Sequence, residues 1–306
     1  MYPFKKVLVA LDLTDLDEVV IRYASMISKL LKTEQVMFVN IIKNVTIPEA
    51  VLKEFPKLLE GSVEERENKI KTKLKSYFDN EAAEQKIVVE QGKIARTILS
   101  LADEQDVDLV ILGRRAQEKD FGLLAQRLAR QANCSILIVP EKCKAKLEKI
   151  QVLSDFSDYA QYSMEKAIEL ASNAPKEIEI HCQNVYVVPV GYHYTGKSYE
   201  EFAEVMRDNA EKEFAKFKDK LDAKGQEIKP IYNLSKDEDR VETFYKLAKR
   251  LKPDLILFGA RGLTKTSNFL LGSNAEKMVQ IDTQFPLALI RLKNDRAGLM
   301  SYFRSL

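Results

Sequence analysis

Short apolar runs alternate along this chain with longer stretches whose apolar residues recur every three or four positions. Val7–Leu11, Gln35–Asn40, Leu109–Leu112 and Ser135–Pro140 read as strands, as do Gln151–Leu153, Ile178–Asn184, Leu255–Phe258 and Pro286–Leu292. Such runs, alternating with amphipathic helices, are the pattern of βαβ units and a parallel sheet. Leu109–Leu112 and Leu255–Phe258 are apolar throughout, as strands covered on both faces are. The spacing predicts helices over Asp15–Lys32, Asp158–Ser172 and Tyr199–Lys224, the last stopped by Gly225 as a C-terminal cap.

The whole pattern occurs twice. Each copy opens with a β-rich run that ends in an Asp, then an apolar residue, then a hydroxyl: Asp12-Leu13-Thr14 and Asp155-Phe156-Ser157. Asp12 precedes Asp155 by 143 residues, Asn40 precedes Asn184 by 144, and Gly113 precedes Gly259 by 146. So small a drift reflects loop insertions in a duplicated unit. The expected architecture is α/β: two tandem doubly wound, five-stranded parallel-sheet domains over 1–142 and 148–293, with a tail over 294–306. A mixed-charge linker, Glu141–Lys149, joins them. In such sheets a ligand binds at the carboxyl ends of the strands, where the strand order reverses. The order itself is not fixed by the pattern.

Composition adds few constraints. A chain of 306 residues suits two domains of about 150 each, large enough to hold cores without staples. Its 48 basic and 46 acidic residues are interspersed, giving a net charge of +2 and no basic patch to suggest a nucleic-acid partner. Cys134, Cys143 and Cys182 form no CxxC pair, which fits a reducing compartment. Met1–Lys6 leads straight into strand pattern, and no apolar run nears the roughly 18 residues of a membrane span. A cytoplasmic protein without a membrane partner is expected.

One motif carries chemistry. The fourth strand of the second copy runs into Gly259-Ala260-Arg261-Gly262, and nine residues later come Gly272-Ser273-Asn274-Ala275-Glu276. In this G-x2-G-x9-G-S pattern, glycines let the backbone approach a phosphate, and the following helix offers unpaired N–H groups. Together with the Asp after the first strand and the closing apolar strand, the pattern resembles the universal stress protein family, twice over, in its tandem-domain form. The resemblance implies a sheet of the adenine-nucleotide α-hydrolase-like type. It also implies that ATP or another adenine nucleotide, with or without Mg²⁺, is the ligand. Asp155 and Leu153 would then hold adenine or ribose, and Val185 would pack on the adenine. Gly259 and Gly262 would line the ribose and phosphate path, and Gly272, Ser273, Asn274 and Ala275 would cradle the phosphates.

The first copy departs from the motif. Arg114-Arg115-Ala116 follows Gly113, so an alanine replaces the second glycine, and Leu123-Leu124-Ala125-Gln126 stands where the Gly-Ser turn would be. That copy is expected to keep the fold, lose the phosphate cradle and act as a partner surface.

Plainer readings compete at each position. Ser273 with Glu276, and Thr14 with Asp17, also spell capping boxes, and Asp12 and Asp155 also suit turns that lead into helices. Gly259 through Thr266 resembles a P-loop, but Thr264 occupies the place of the glycine before Lys265. Arg261 and Lys265 could still meet phosphates electrostatically. His181 and Cys182 are adjacent on a strand, point to opposite faces and cannot share a metal. No Ser/His/Asp or Cys/His nucleophilic set is evident. Gly191–Gly196 reads as an exposed aromatic loop, and Lys293–Leu306 as a loosely packed terminus.

Three functions stay open. The first is a cytoplasmic stress-response regulator that binds nucleotide in its second copy and acts on protein partners. The second is a ligand-free scaffold whose copies form an internal pseudo-dimer, alone or in a homodimer. The third is a slow ATPase or autophosphorylating enzyme, for which no general base can be named.

Overall fold

Val7, Leu8 and Val9 are almost wholly buried because their strand has a partner on each side and helices across the sheet. This strand, β1 (Lys6–Leu11), pairs in parallel with both β2 (Gln35–Lys43) and β4 (Leu109–Arg114). β3 (Glu84–Gly92) flanks β2, and β5 (Ser135–Pro140) flanks β4, giving the order β3-β2-β1-β4-β5. The helices between them are α1 (Leu16–Leu30), α2 (Leu58–Tyr77), α3 (Ile94–Glu104) and α4 (Lys119–Gln131).

The second half repeats this arrangement. β6 (Lys149–Leu153) pairs in parallel with β7 (Glu179–Tyr186) and β9 (Leu255–Gly259), and β8 (Ile228–Leu234) and β10 (Leu287–Ile290) lie outside them. Its helices are α5 (Asp158–Ser172), α6 (Tyr199–Asp219), α7 (Arg240–Leu251) and α8 (Ser273–Gln280). The order β8-β7-β6-β9-β10 therefore reverses between β6 and β9, as that of the first half does between β1 and β4. In this computed structural model the described residues are 2–43, 54, 58–115, 119–236, 239–262, 271–281 and 284–292. Their contacts divide the chain into two units, Tyr2–Lys146 and Leu147 onward, here called the first and second domains.

The duplication extends to single polar contacts. Asp108 Oδ2 accepts the backbone N–H groups of Lys5 at 2.8 Å and Lys6 at 2.9 Å. Asp254 Oδ2 does the same for Glu148 at 2.8 Å and Lys149 at 3.1 Å. Each pair pins the start of a central strand to its neighbour. Asn40 Nδ2 donates to the Leu11 carbonyl at 2.8 Å, and Asn184 Nδ2 to the Ser154 carbonyl at 2.9 Å. The strands expected to end at these Asn residues run on to Lys43 and Tyr186, and the two side chains tie β2 to β1 and β7 to the end of β6.

Several predicted boundaries are corrected. The helix expected to run to Gly225 ends at Asp219, and Gly225 lies in a separate turn at φ 78°. Gly272, not Ser273, occupies the N-cap of α8, so the Ser273–Glu276 capping box is not formed. Thr14 and Asp17 likewise make no box: Asp15 holds the N-cap, and Asp17 Oδ1 accepts the Asp12 N–H at 3.0 Å. Gly191–Gly196 forms a 3-10 turn over Val190–Thr195, with Tyr194 strongly exposed. All three cysteines are free, and burial pushes the Cys182 thiol up to about 12. Ala116, Thr264–Thr266 and the tail from Lys293 lie outside the described residues.

Candidate functional site

The turn after β6 builds one wall of a cavity. Asp155 Oδ1 accepts the Ser157 N–H at 3.1 Å, Ser154 Oγ accepts the Phe156 N–H at 3.1 Å, and Phe156 takes φ 62°. A left-handed backbone is costly for a bulky residue. Here the two side-chain acceptors close the turn, and the Phe156 ring packs on Phe217 with centroids 5.4 Å apart. Ser157 then caps α5, its hydroxyl accepting the Ala160 N–H at 3.3 Å. The carboxylate of Asp155 is thereby fixed at the carboxyl end of the central strand.

The loop after β9 builds the facing wall. A Cβ on Gly259 would lie 2.6 Å from Tyr159 Cβ, so only glycine lets the strand end pass so close to α5. A Cβ on Gly262 would collide with Asp155 Oδ2. Arg261, between the two glycines, places its guanidinium 5.6 Å from the centre of the Tyr159 ring. The loop returns at Gly272, whose N–H donates to the Ala260 carbonyl at 2.9 Å, while the Ala260 N–H donates to Ile290 on β10 at 2.9 Å.

Helix α8 begins there, and its cap residue has no side chain to satisfy the first N–H groups. Ser273 and Asn274 are exposed and Ala275 is buried. A bare helix N-terminus presents partial positive charge and free donors to an anion.

These pieces enclose a cavity of about 160 Å³. Eight of the nine residues singled out in the sequence line it: Leu153, Asp155, Gly259, Gly262, Gly272, Ser273, Asn274 and Ala275. Val185 does not; it is buried on β7, one strand further from the switch point. Arg240, Phe244 and Phe258 also line it and were not foreseen. The signal was present, since Arg240 opens α7 after the capping Asp239 and Phe244 follows one turn later, on the buried stripe of that helix. Asp155 is the one carboxylate among the described lining residues. Among the described residues no three His, Cys, Asp or Glu side chains cluster as metal ligands, and His181 pairs with Glu179 at 3.2 Å.

The equivalent place in the first domain holds a larger cavity of about 490 Å³. It keeps Asp12, Thr14 and Gly113 and adds Asp17, which is replaced by alanine at the matching position of the second domain. Asp17 is buried with Oδ2 3.3 Å from the Lys73 ammonium, and burial pushes its carboxyl up to about 6.

A sequence profile of the universal stress protein family matches residues 3–140 and again 146–282. No curated protein matches the chain. Among solved structures, a universal stress protein from Archaeoglobus fulgidus DSM 4304 superposes with a TM-score of 0.64 at 14% identity, covering 96% of this chain and 98% of that one. A functionally unknown protein from Pseudomonas aeruginosa PAO1 superposes with a TM-score of 0.62 at 13% identity, covering 99% and 98%. At such identities the likeness establishes the fold. No helix among the described residues is long and apolar enough to cross a membrane.

Proposed function

The chain belongs to the universal stress protein family, and we propose that its second domain binds ATP or a related adenine nucleotide as a regulatory ligand. The supporting observation is that Asp155, the close-approach glycines Gly259 and Gly262, and the bare N-terminus of α8 converge on one cavity. The residues fit the group. Gly262 leaves the Asp155 carboxylate room to accept from a ribose hydroxyl, and the N–H groups of Ser273–Ala275 can donate to phosphate oxygens. Arg240, at the start of α7, and Arg261, after β9, add positive charge to the lining. A Mg²⁺ accompanying the nucleotide would take its ligands from phosphate oxygens and water. Nucleotide bound here would fill the cavity between Asp155 and the N-terminus of α8 and so alter a surface read by protein partners in the cytoplasm. The domains would act as an internal pseudo-dimer, with or without a second chain.

A ligand-free scaffold is the second reading, favoured by one observation: about 160 Å³ is smaller than the roughly 300 to 1,000 Å³ of ordinary ligand sites. Phe244 and Phe258 are bulky members of its lining. Thermal denaturation of nucleotide-stripped protein with ATP·Mg²⁺, with AMP and without ligand separates the two. A melting temperature raised by ATP in the native chain but not in Gly272→Val supports nucleotide binding in the second domain. No shift with any nucleotide, in folded protein, overturns it in favour of the scaffold.

A further inference from the structure

Val190 and Tyr194 are 79% and 87% exposed, and Val205 is 42% exposed. Of the four exposed large apolar residues among those described, these three fall within one stretch of the second domain. They share a support. The 3-10 turn over Val190–Thr195 leans its Tyr192 ring on Tyr199 and Phe202 of α6, with centroids 5.6 Å and 6.5 Å apart. Phe202 lies three residues before Val205, so the two are neighbours on one helix face.

The turn is locked by its own bonds. The Tyr192 N–H donates to the Pro189 carbonyl at 3.1 Å, and Thr195 Oγ1 donates to the Tyr192 carbonyl at 2.6 Å. Gly196, at φ 72°, closes it, and Ser198 and Glu201 cap α6 with a full capping box. A surface fixed before binding loses little freedom when a partner arrives. Single exposed apolar side chains are ordinary, but a joined patch rimmed by polar groups marks an interaction surface.

The rim is acidic. Residues 190–208 carry four carboxylates, Glu200, Glu201, Glu204 and Asp208, against Lys197 and Arg207. Arg207 is paired with Glu211 at 3.2 Å, and Glu201 accepts the Ser198 N–H at 2.8 Å. Glu200, Glu204 and Asp208 are exposed, and no described residue forms an ion pair with them. An acid in the first turn suits the helix dipole, which accounts for Glu200, but Glu204 and Asp208 lie further along α6. Spaced four apart, the three form one row beside Val205.

We propose that this turn and the start of α6 dock a basic peptide segment of another protein. Its aromatic or aliphatic side chains would cover Val190, Tyr194 and Val205, and its lysines or arginines would meet Glu204 and Asp208. Carboxylates beside the patch repel phosphate groups, so nucleic acid and anionic lipid are disfavoured, and complementary charge selects a cationic partner. This surface is independent of nucleotide binding in the second domain.

The test is selection of random displayed peptides of about twelve residues on the native full chain. Enriched peptides are expected to carry Lys or Arg beside Phe, Tyr or Leu. A synthetic copy of the most enriched one should bind saturably, and more weakly as salt rises. Val190→Ser with Tyr194→Ser should weaken it about tenfold or more, as should Glu204→Lys with Asp208→Lys, with melting temperatures unchanged. If the serine pair does not fold, the lysine pair decides alone. Failure to enrich any peptide overturns the proposal, as does enrichment of peptides without basic residues or binding that both variant pairs leave intact. Self-association of the native chain that the serine pair abolishes, read by analytical ultracentrifugation, would assign the patch to a second copy and overturn it too.

Discussion

The α-carbon of Gly262 lies so close to the Asp155 carboxylate that a Cβ there would strike Oδ2. Asp155 cannot swing away freely, because Oδ1 accepts the Ser157 N–H at 3.1 Å. Gly262→Ala should therefore displace either the loop or the carboxylate without disturbing the core. The expected result is a loss of ATP affinity of about tenfold or more, equal to roughly 1.4 kcal/mol, with the ligand-free melting temperature nearly unchanged. Equilibrium binding of ATP to both proteins checks it. Equal affinities would remove Asp155 and Gly262 from the binding surface.

The arrangement of glycines around Asp155 was legible in the sequence because glycine spacing follows from what the backbone must do there. The duplication was legible for a similar reason: Asp12 and Asp155, or Asn40 and Asn184, repeat the same contacts at the same strand ends. Phe244 and Phe258 were not, since an apolar residue on an amphipathic helix or a buried strand looks the same whether it faces the core or a cavity. The first-domain cavity escaped notice as well, because the sequence displays a missing phosphate cradle and not an enclosed volume. Cap positions were misread at Ser273 and Thr14, where the backbone placed the cap one residue away from the hydroxyl.

Asn184 is buried, and its side chain donates to the Ser154 carbonyl at 2.9 Å. Asn184→Ala removes the donor and leaves a buried acceptor without it, at a cost of about 1–3 kcal/mol. Urea unfolding should show this as a lowered midpoint of the second domain. Unchanged stability would mean that water replaces the bond.

Asp17 makes the first domain's stability depend on pH in an unusual sense. Burial raises its carboxyl from 3.8 to about 6, opposed by Lys73, so between these values the folded state holds a proton that the unfolded state has released. Stability from this group therefore rises as pH falls through about 6 and levels off below about 4. From pH 7 to pH 5 the gain is about 1 kcal/mol. In Asp17→Asn that increment should vanish, which urea unfolding of both proteins at the two pH values would reveal. The same pH response in the variant would assign the effect to another group.

Two glycine-to-alanine substitutions should act in opposite directions. Gly259 ends β9 against α5, where a Cβ would lie 2.6 Å from Tyr159 Cβ and 3.1 Å from the Tyr159 carbonyl carbon. Those atoms belong to the helix and its backbone, so no side-chain rotation relieves the clash. Gly259→Ala should cost about 1–3 kcal/mol and also move Tyr159 from beneath Arg261. Gly61 lies exposed on α2, and a Cβ there would meet nothing within 4 Å. Gly61→Ala gains helix propensity alone and should stabilise by up to about 1 kcal/mol. Chemical denaturation of the two variants checks both signs at once. A neutral Gly259→Ala would mean that α5 can retreat from the strand, and with it Asp155 would lose the rigid placement that the nucleotide reading requires.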